Sequence, residues 1–331
     1  MCIRDSVCVT NHYVLGNMYD RKTPYMIQYV FNVQRQLDRT TALEIGYLGS
    51  RSKRLERMFD ANEVTPGPGS VQSRRPYPEF TKVQEIGNVA EARYNSLALK
   101  LTRRLDRGFS VLVGYTLSKS EDNGSGIRTL NGDALFPQNS NCFDCEWGLS
   151  IFDVRHRFVT SLLYELPFGG GKPFLQSGPA AAILGDWQIS AIINTSSGFP
   201  RDPAVGVDVP NTGAQTYRPN LVSGQDPNDG PGTVEQWFNT AAFARPDAFT
   251  YGNAGRNIVT GPGIFSVDMS LLKNIIFGGG RSLQLRLEAF NALNQPIWND
   301  PDMNMSSQTY GRINTTRSPM RELQIGVKFA F

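Results

Sequence analysis

Apolar and polar residues alternate with a period of two along most of the chain, which places i, i+2 and i+4 on one face of a strand. Tyr25, Ile27, Tyr29, Phe31 and Val33 are interleaved with Gln28, Asn32, Gln34 and Gln36, and only Met26 and Val30 break the pattern. After the turn Asp38-Arg39-Thr40, Leu43, Ile45 and Tyr47 alternate with Ala42, Glu44 and Gly46. Leu97, Leu99 and Leu101 then oppose Ala98, Lys100 and Thr102, and a tight turn at Asp106-Arg107-Gly108 leads into Phe109, Val111, Val113, Tyr115 and Leu117. The second half repeats the theme. Phe158 to Leu166 alternates poorly; Trp187 to Ile193, Phe265 to Leu271, Leu283 to Leu287 and Leu323 to Phe331 alternate well. The pattern predicts about nine strands of roughly ten residues, the length a tilted strand needs to cross a bilayer, whereas strands of soluble proteins typically run only about five or six.

The connections alternate as well. Short turns at 38–40, 106–108 and 278–281, and a medium one at 167–186, alternate with long polar segments at 51–92, 120–154, 198–262 and 292–319. Membrane barrels pair short periplasmic turns with long extracellular loops. The expected fold is therefore all-β: an antiparallel transmembrane β-barrel, represented in part by nine or ten spanning strands. The apolar piece Phe80 to Ile86 is expected as a strand inside an outer loop. The alternative for the same alternation is a two-sheet sandwich that hides the apolar face.

Parity adds an expectation. If the turn at 38–40 is periplasmic, the first strand enters from outside and the last ends in the periplasm. A complete single-chain barrel has an even strand number, so residues 21–331 read as the C-terminal part of a larger barrel, and residues 1–20 as a truncation scar or loop remnant. Met1-Cys2-Ile3-Arg4-Asp5-Ser6 has no signal-peptide character.

Composition narrows the picture. Hydrophobic residues make up 40% and mean hydropathy is −0.31, which suits strands apolar at every second position. No apolar run approaches the roughly 18 residues of a spanning helix. The net charge is +3, with no basic block that suggests nucleic acid; the dense stretch Arg51 to Arg57 reads as a solvated loop.

Candidate chemistry is sparse. Glu44, Lys100, Asp268, Arg286, Glu288, Glu322 and Lys328 fall on the polar face and are assigned to the lumen, as a polar lining or as contacts to a substrate or plug. Cys142 and Cys145 form a C-x-x-C pair open to three readings: zinc half-site, redox pair or local disulfide. Without a second C-x-x-C and with only His12 and His156, an extracytoplasmic disulfide is preferred. Cys2 and Cys8 are the other cysteines. His156 in Asp153-Val154-Arg155-His156-Arg157-Phe158 lacks the partners of a catalytic triad, and the segment reads as a loop-to-strand anchor. Gly169-Gly170-Gly171-Lys172 lacks the spacing of a phosphate loop. No catalytic, cofactor or metal site is expected.

Tyr94-Asn95-Ser96-Leu97, Tyr115-Thr116-Leu117-Ser118-Lys119-Ser120 and Asp153 to Phe158 carry a family resemblance. It continues in Tyr164-Glu165-Leu166-Pro167-Phe168-Gly169, Gly185-Asp186-Trp187-Gln188, Trp237-Phe238-Asn239 and Phe290-Asn291-Ala292-Leu293-Asn294. Together these resemble the TonB-dependent receptors, specifically the Oar-like group, over nearly everything beyond about residue 20. The resemblance implies a bacterial outer-membrane location and a 22-stranded barrel with an N-terminal plug, contacting outer-membrane lipid. It implies a substrate imported with energy from TonB, acting through the region that precedes this chain, since plug and TonB box are missing from it. The ending Val327-Lys328-Phe329-Ala330-Phe331 resembles the terminal aromatic signal read by the barrel-assembly machinery, with Phe329 and Phe331 as its aromatic residues. Two alternatives stand beside transport: an adhesion or assembly platform in the outer membrane, and a soluble all-β carbohydrate-binding protein.

Overall fold

The structure is a computed structural model that describes residues 12–126, 136–214, 217–277 and 280–331. Cys2, Cys8, Gly278 and Gly279 lie outside the described residues. Nine strands form one continuous path: β1 (Tyr25–Gln36), β2 (Thr41–Asp60), β3 (Phe80–Asp106), β4 (Phe109–Asp122), β5 (His156–Glu165), β6 (Trp187–Ser196), β7 (Ile264–Phe277), β8 (Arg281–Phe290) and β9 (Glu322–Ala330). Each pairs antiparallel with its neighbour in sequence, so the sheet is a plain meander with β1 and β9 at its edges. The barrel is not closed.

Alternation sets the faces. Leu43, Ile45 and Tyr47 of β2 lie opposite Leu101, Leu99 and Leu97 of β3, which in turn meet Val113, Tyr115 and Leu117 of β4. This face is widely exposed, with Ile45, Leu97 and Phe265 each more than 40% accessible. Among the described residues no second layer covers it, as the sandwich alternative requires. The poor alternation of β5 has a local cause: Thr160 stands on the apolar face and satisfies its hydroxyl on the Leu112 carbonyl at 3.1 Å.

The turns follow the side chains that build them. Asp38 accepts from the amides of Thr40 and Thr41 at 2.7 and 2.9 Å and from the Thr40 hydroxyl, closing the β1–β2 turn. Its carboxyl is lowered to about 2, chiefly by the Thr40 amide. Arg107 and Gly108 both adopt positive φ, 51° and 79°, as a two-residue hairpin turn requires.

The other ends of the strands run on. β2 and β3 reach 20 and 27 residues, longer than a membrane crossing. This corrects the reading of Arg51 to Arg57 as a solvated loop: the segment is strand, and Arg57 is 2% exposed. Phe80 to Ile86 is a strand as expected but is the start of β3, not a separate element, and His12–Asn17 lies parallel against it. The long connections pack into one body at this end of the sheet. It includes the strand pairs Asn220–Leu221 with Phe243–Ala244 and Pro200–Arg201 with Val259–Thr260. Phe238, Ala242, Phe243, Ala254 and Val259 form its small core. Gly198 approaches this packing so closely that a Cβ there would overlap the Gly261 carbonyl.

Candidate functional site

The residues assigned to the lumen share one face of the sheet. Glu44 and Lys100 are register partners with their charges 4.0 Å apart. Arg286 and Glu288 alternate along β8 with a 3.7 Å separation, and Arg286 donates to Gln284 at 3.1 Å. On β9, Lys328 lies beside Gln284 and Glu322 beside Phe290, so these two stand at opposite ends of that strand. Asp268 is spent on structure: its carboxylate accepts the Asn291 amide at 2.8 Å and shapes the exit of β8. The seven residues form paired islands along a polar wall; they do not converge on one point. The same face carries Leu112 and Ile192, 44% and 49% exposed, which alternation alone did not single out.

The concentrated polar chemistry lies in the loop body. Glu146, 1% exposed, receives both guanidinium nitrogens of Arg218 at 2.9 and 3.0 Å, a bidentate pair. Arg57 approaches the same carboxylate at 3.5 Å and donates to the Asn123 carbonyl. Arg256 donates to the Glu146 carbonyl at 3.0 Å and pairs with the Asp122 carboxylate. Gln138 completes the knot by accepting from the Arg218 amide at 2.6 Å and donating to the Gly252 carbonyl at 3.0 Å. Burial alone would push the Glu146 carboxyl up, but Arg218, Arg57 and Arg256 outweigh it and hold the group below the usual carboxylate range. Asp202 keeps some accessible surface yet sits deep between loops, and that enclosure pushes it up to about 6 against the pull of Arg218. Glu63 accepts from the Ser140 amide at 2.8 Å and the Tyr251 hydroxyl at 3.0 Å, and burial raises its carboxyl.

Sequence reasoning missed this knot because its contacts join residues up to 134 positions apart. No local spacing signals it. The anchor role expected of Asp153 to Phe158 has visible geometry: Asp153 accepts the Ser120 amide at 2.6 Å, and His156 Nδ1 lies 2.8 Å from the Tyr115 hydroxyl. Cys142 and Cys145 are joined in a disulfide at the surface of the body. Phe329 lies on the apolar face opposite Leu283, its ring 5.8 Å from that of Phe331.

An open cleft of about 650 Å³ cuts into the body, lined by Ser70, Gln72, Arg75, Thr81, Lys82 and Gln84 with Tyr13 and Val71. Arg75 stands 3.6 Å from Asp60 and donates to the Asn62 carbonyl at 2.6 Å. Lys82 lies over the Phe136 ring at 5.5 Å, and burial lowers its ammonium against the pull of Asp60. The charged side chains of its lining are the cations Arg75 and Lys82, beside the polar Ser70, Gln72, Thr81 and Gln84, so the cleft suits a polar ligand. Among the described residues no group of three or more His, Cys, Asp or Glu is placed to hold a metal.

Solved structures share this architecture. The outer membrane transporter YddB from Escherichia coli matches with a TM-score of 0.51 at 9% identity, over 94% of this chain and 33% of its own. The ferric preacinetobactin receptor BauA from Acinetobacter baumannii (TM-score 0.44, 9% identity, 92% of this chain and 29% of its own) and the iron transporter FrpB from Neisseria meningitidis (0.42, 14%, 95% and 32%) are also similar. The chain thus spans about a third of the length of the structures it resembles. No curated protein matches it. The family described as outer membrane beta barrel domain matches residues 8–324. By that match, which agrees with the meander and its exposed apolar face, the chain belongs to the outer membrane β-barrel family and resides in the bacterial outer membrane.

Proposed function

We propose that the chain is the C-terminal barrel segment of a TonB-dependent, Oar-like outer-membrane receptor that imports a substrate. On this reading further strands, to a total of 22, complete the barrel around a plug, and TonB acts through that plug. The barrel-assembly machinery reads Phe329 and Phe331, and Lys100, Asp268, Arg286, Glu288, Glu322 and Lys328 line the passage. The observation that carries the proposal is the preorganised loop body. A knot of three arginines around Glu146 fixes long loops over one end of a polar-walled sheet and leaves open a cleft lined by Arg75 and Lys82. Function concentrates on loops held by a rigid scaffold, and a passive pore has no use for such a cap. The exposed apolar face gives no support to the soluble carbohydrate-binding alternative.

The test is energy-dependent uptake by cells that depend on the intact protein for a growth-limiting nutrient. Collapse of the inner-membrane proton gradient, or loss of TonB, is expected to abolish uptake while surface binding persists. The double substitution Arg75→Ser with Lys82→Ser in the cleft is expected to reduce binding at least tenfold. Uptake that continues at full rate without TonB would defeat the proposal, and binding without any uptake would favour an adhesion platform.

A further inference from the structure

The apolar face ends abruptly at its loop-side border. On β3 the outward residues Leu97, Leu99 and Leu101 are bounded by Arg103 on one side and by Asn95 and Arg93 on the other. From Arg93 to Arg103, ten steps of ~3.3 Å along a strand tilted ~40° span about 25 Å, the height of a barrel's apolar band. Arg93 therefore stands where hydrocarbon gives way to headgroups.

Arg93 is not alone at that level. Its register partner on β2 is Arg51, which sits opposite Ile27 of β1, so both arginines are on the outward face. Lys53 is two residues further along β2, half exposed and 3.2 Å from Glu91. Lys119 of β4 lies opposite Asn95, one row lower, and pairs with Glu121. Arg54, in the left-handed region at φ 59°, lies over the outward Tyr25 ring at 5.5 Å. The cluster thus holds five cations against Glu91 and Glu121. Arg93 leans over the half-exposed ring of Trp147 at 5.7 Å. The corresponding ends of β6, β7 and β8 present Thr195, Phe265 and Ala289 instead.

Two arginines directly opposite on one face repel, and like-charged cross-strand pairs are destabilising. Glu121, the register partner of Arg93 on β4, offsets part of this charge but is also engaged by Lys119, as Glu91 is by Lys53, so the cluster keeps three positive charges in excess. An anion with several oxygens between the guanidinium forks, which match phosphate geometry, would neutralise them. The occupant must also be apolar just below, where Tyr47, Leu97 and Leu117 begin. In an outer membrane the amphiphile with phosphates at that depth, on the side of the long loops, is the phosphorylated glycolipid of the outer leaflet. We propose that Arg51, Lys53, Arg93 and Lys119 form a docking site for its phosphorylated saccharide headgroup. The site lies outside the barrel and does not depend on the proposed transport.

The test uses the protein extracted from outer membranes in mild detergent and measures the glycolipid that stays bound through gel filtration. Arg51→Ser with Arg93→Ser is expected to lower retained glycolipid at least fivefold, whereas Arg35→Ser with Arg281→Ser, at the opposite rim, leaves it unchanged. Equal retention in the first variant, or an equal loss in the second, overturns the assignment. If the double serine variant fails to fold, Lys53→Gln with Lys119→Gln takes its place. Added purified glycolipid is expected to raise the wild-type unfolding temperature and to have less than half that effect on this variant. An unchanged shift in the variant, or an equal shift of the wild type by phosphatidylglycerol, refutes a glycolipid headgroup site.

Discussion

A carboxylate as enclosed as Glu146 stays ionised only because arginines replace the water it has lost. Its two oxygens take the Arg218 fork and the Arg57 tip, and its backbone carbonyl takes Arg256. Removing one partner of a buried ionic group leaves the others uncompensated and costs about 3–5 kcal/mol. Glu146→Ala is therefore expected to loosen the loop body while the strands persist. Limited proteolysis of cells should then cut within 198–262, where the wild type resists; an unchanged digestion pattern would show that the knot does not hold the loops. The pH dependence has a definite sign. Because the folded Glu146 carboxyl lies below its ordinary value of 4.5, its contribution is complete above that value and is lost as pH falls through the folded one. Asp202 works the other way: raised from 3.8 to about 6, it favours the folded body most below 3.8 and loses that contribution as pH rises through 6. Asp202→Asn should flatten the stability profile between those limits without altering the acid limb due to Glu146.

At the scale of elements, the connection between β5 and β6 shows how a charge can serve an apolar face. Lys273 of β7 lies on that face, in register with Trp187 and Leu285. Its ammonium donates to the carbonyls of Ala182, Ile183 and Gly185 at 2.8, 3.0 and 2.8 Å and stands 5.3 Å from the Trp187 ring. It thereby caps the short helix Pro179–Leu184, whose Ile183 and Leu184 remain exposed, and a cation at a helix C-terminus is favourable. Lys273→Met keeps the stem but strands three carbonyls, at about 1–3 kcal/mol. Hydrogen exchange should show amides of 179–186 losing protection while those of β6 and β7 keep it; equal loss in the strands would mean that Lys273 supports the sheet. This tie was not legible beforehand, since a lysine at an apolar position reads only as an exception. The strands themselves were legible because a period of two sustained over ten residues has few rival interpretations, and the Asp38 and Asp106 turns carry local side-chain signals. Arg57 was misread for the opposite reason: its burial depends on Glu146 and Asn123, 89 and 66 residues away. That Glu44–Lys100 and Arg286–Glu288 share the polar face followed from parity alone, but parity could not reveal that Asp268 is occupied by a backbone amide.

For the molecule as a whole, strand direction limits how the sheet can close. In a meander of nine antiparallel strands, β1 and β9 run the same way, from the loop body toward the short turns. Joining them directly would make a parallel seam, which single-chain outer-membrane barrels with even strand numbers avoid. Yet hydrocarbon does not tolerate the unpaired amides and carbonyls of two open edges. The proposed larger barrel would resolve this by supplying partner strands for both edges. Cysteines at Phe31 or Val33 of β1 and at Val327 of β9, in a background free of other cysteines, separate these cases in the intact protein in its own membrane. Val327 paired with a cysteine at its register partner Leu285 is expected to cross-link readily, and with either β1 position not at all. A β1–β9 cross-link as efficient as the Leu285 control would mean that nine strands close on themselves, and the larger barrel would have to be abandoned.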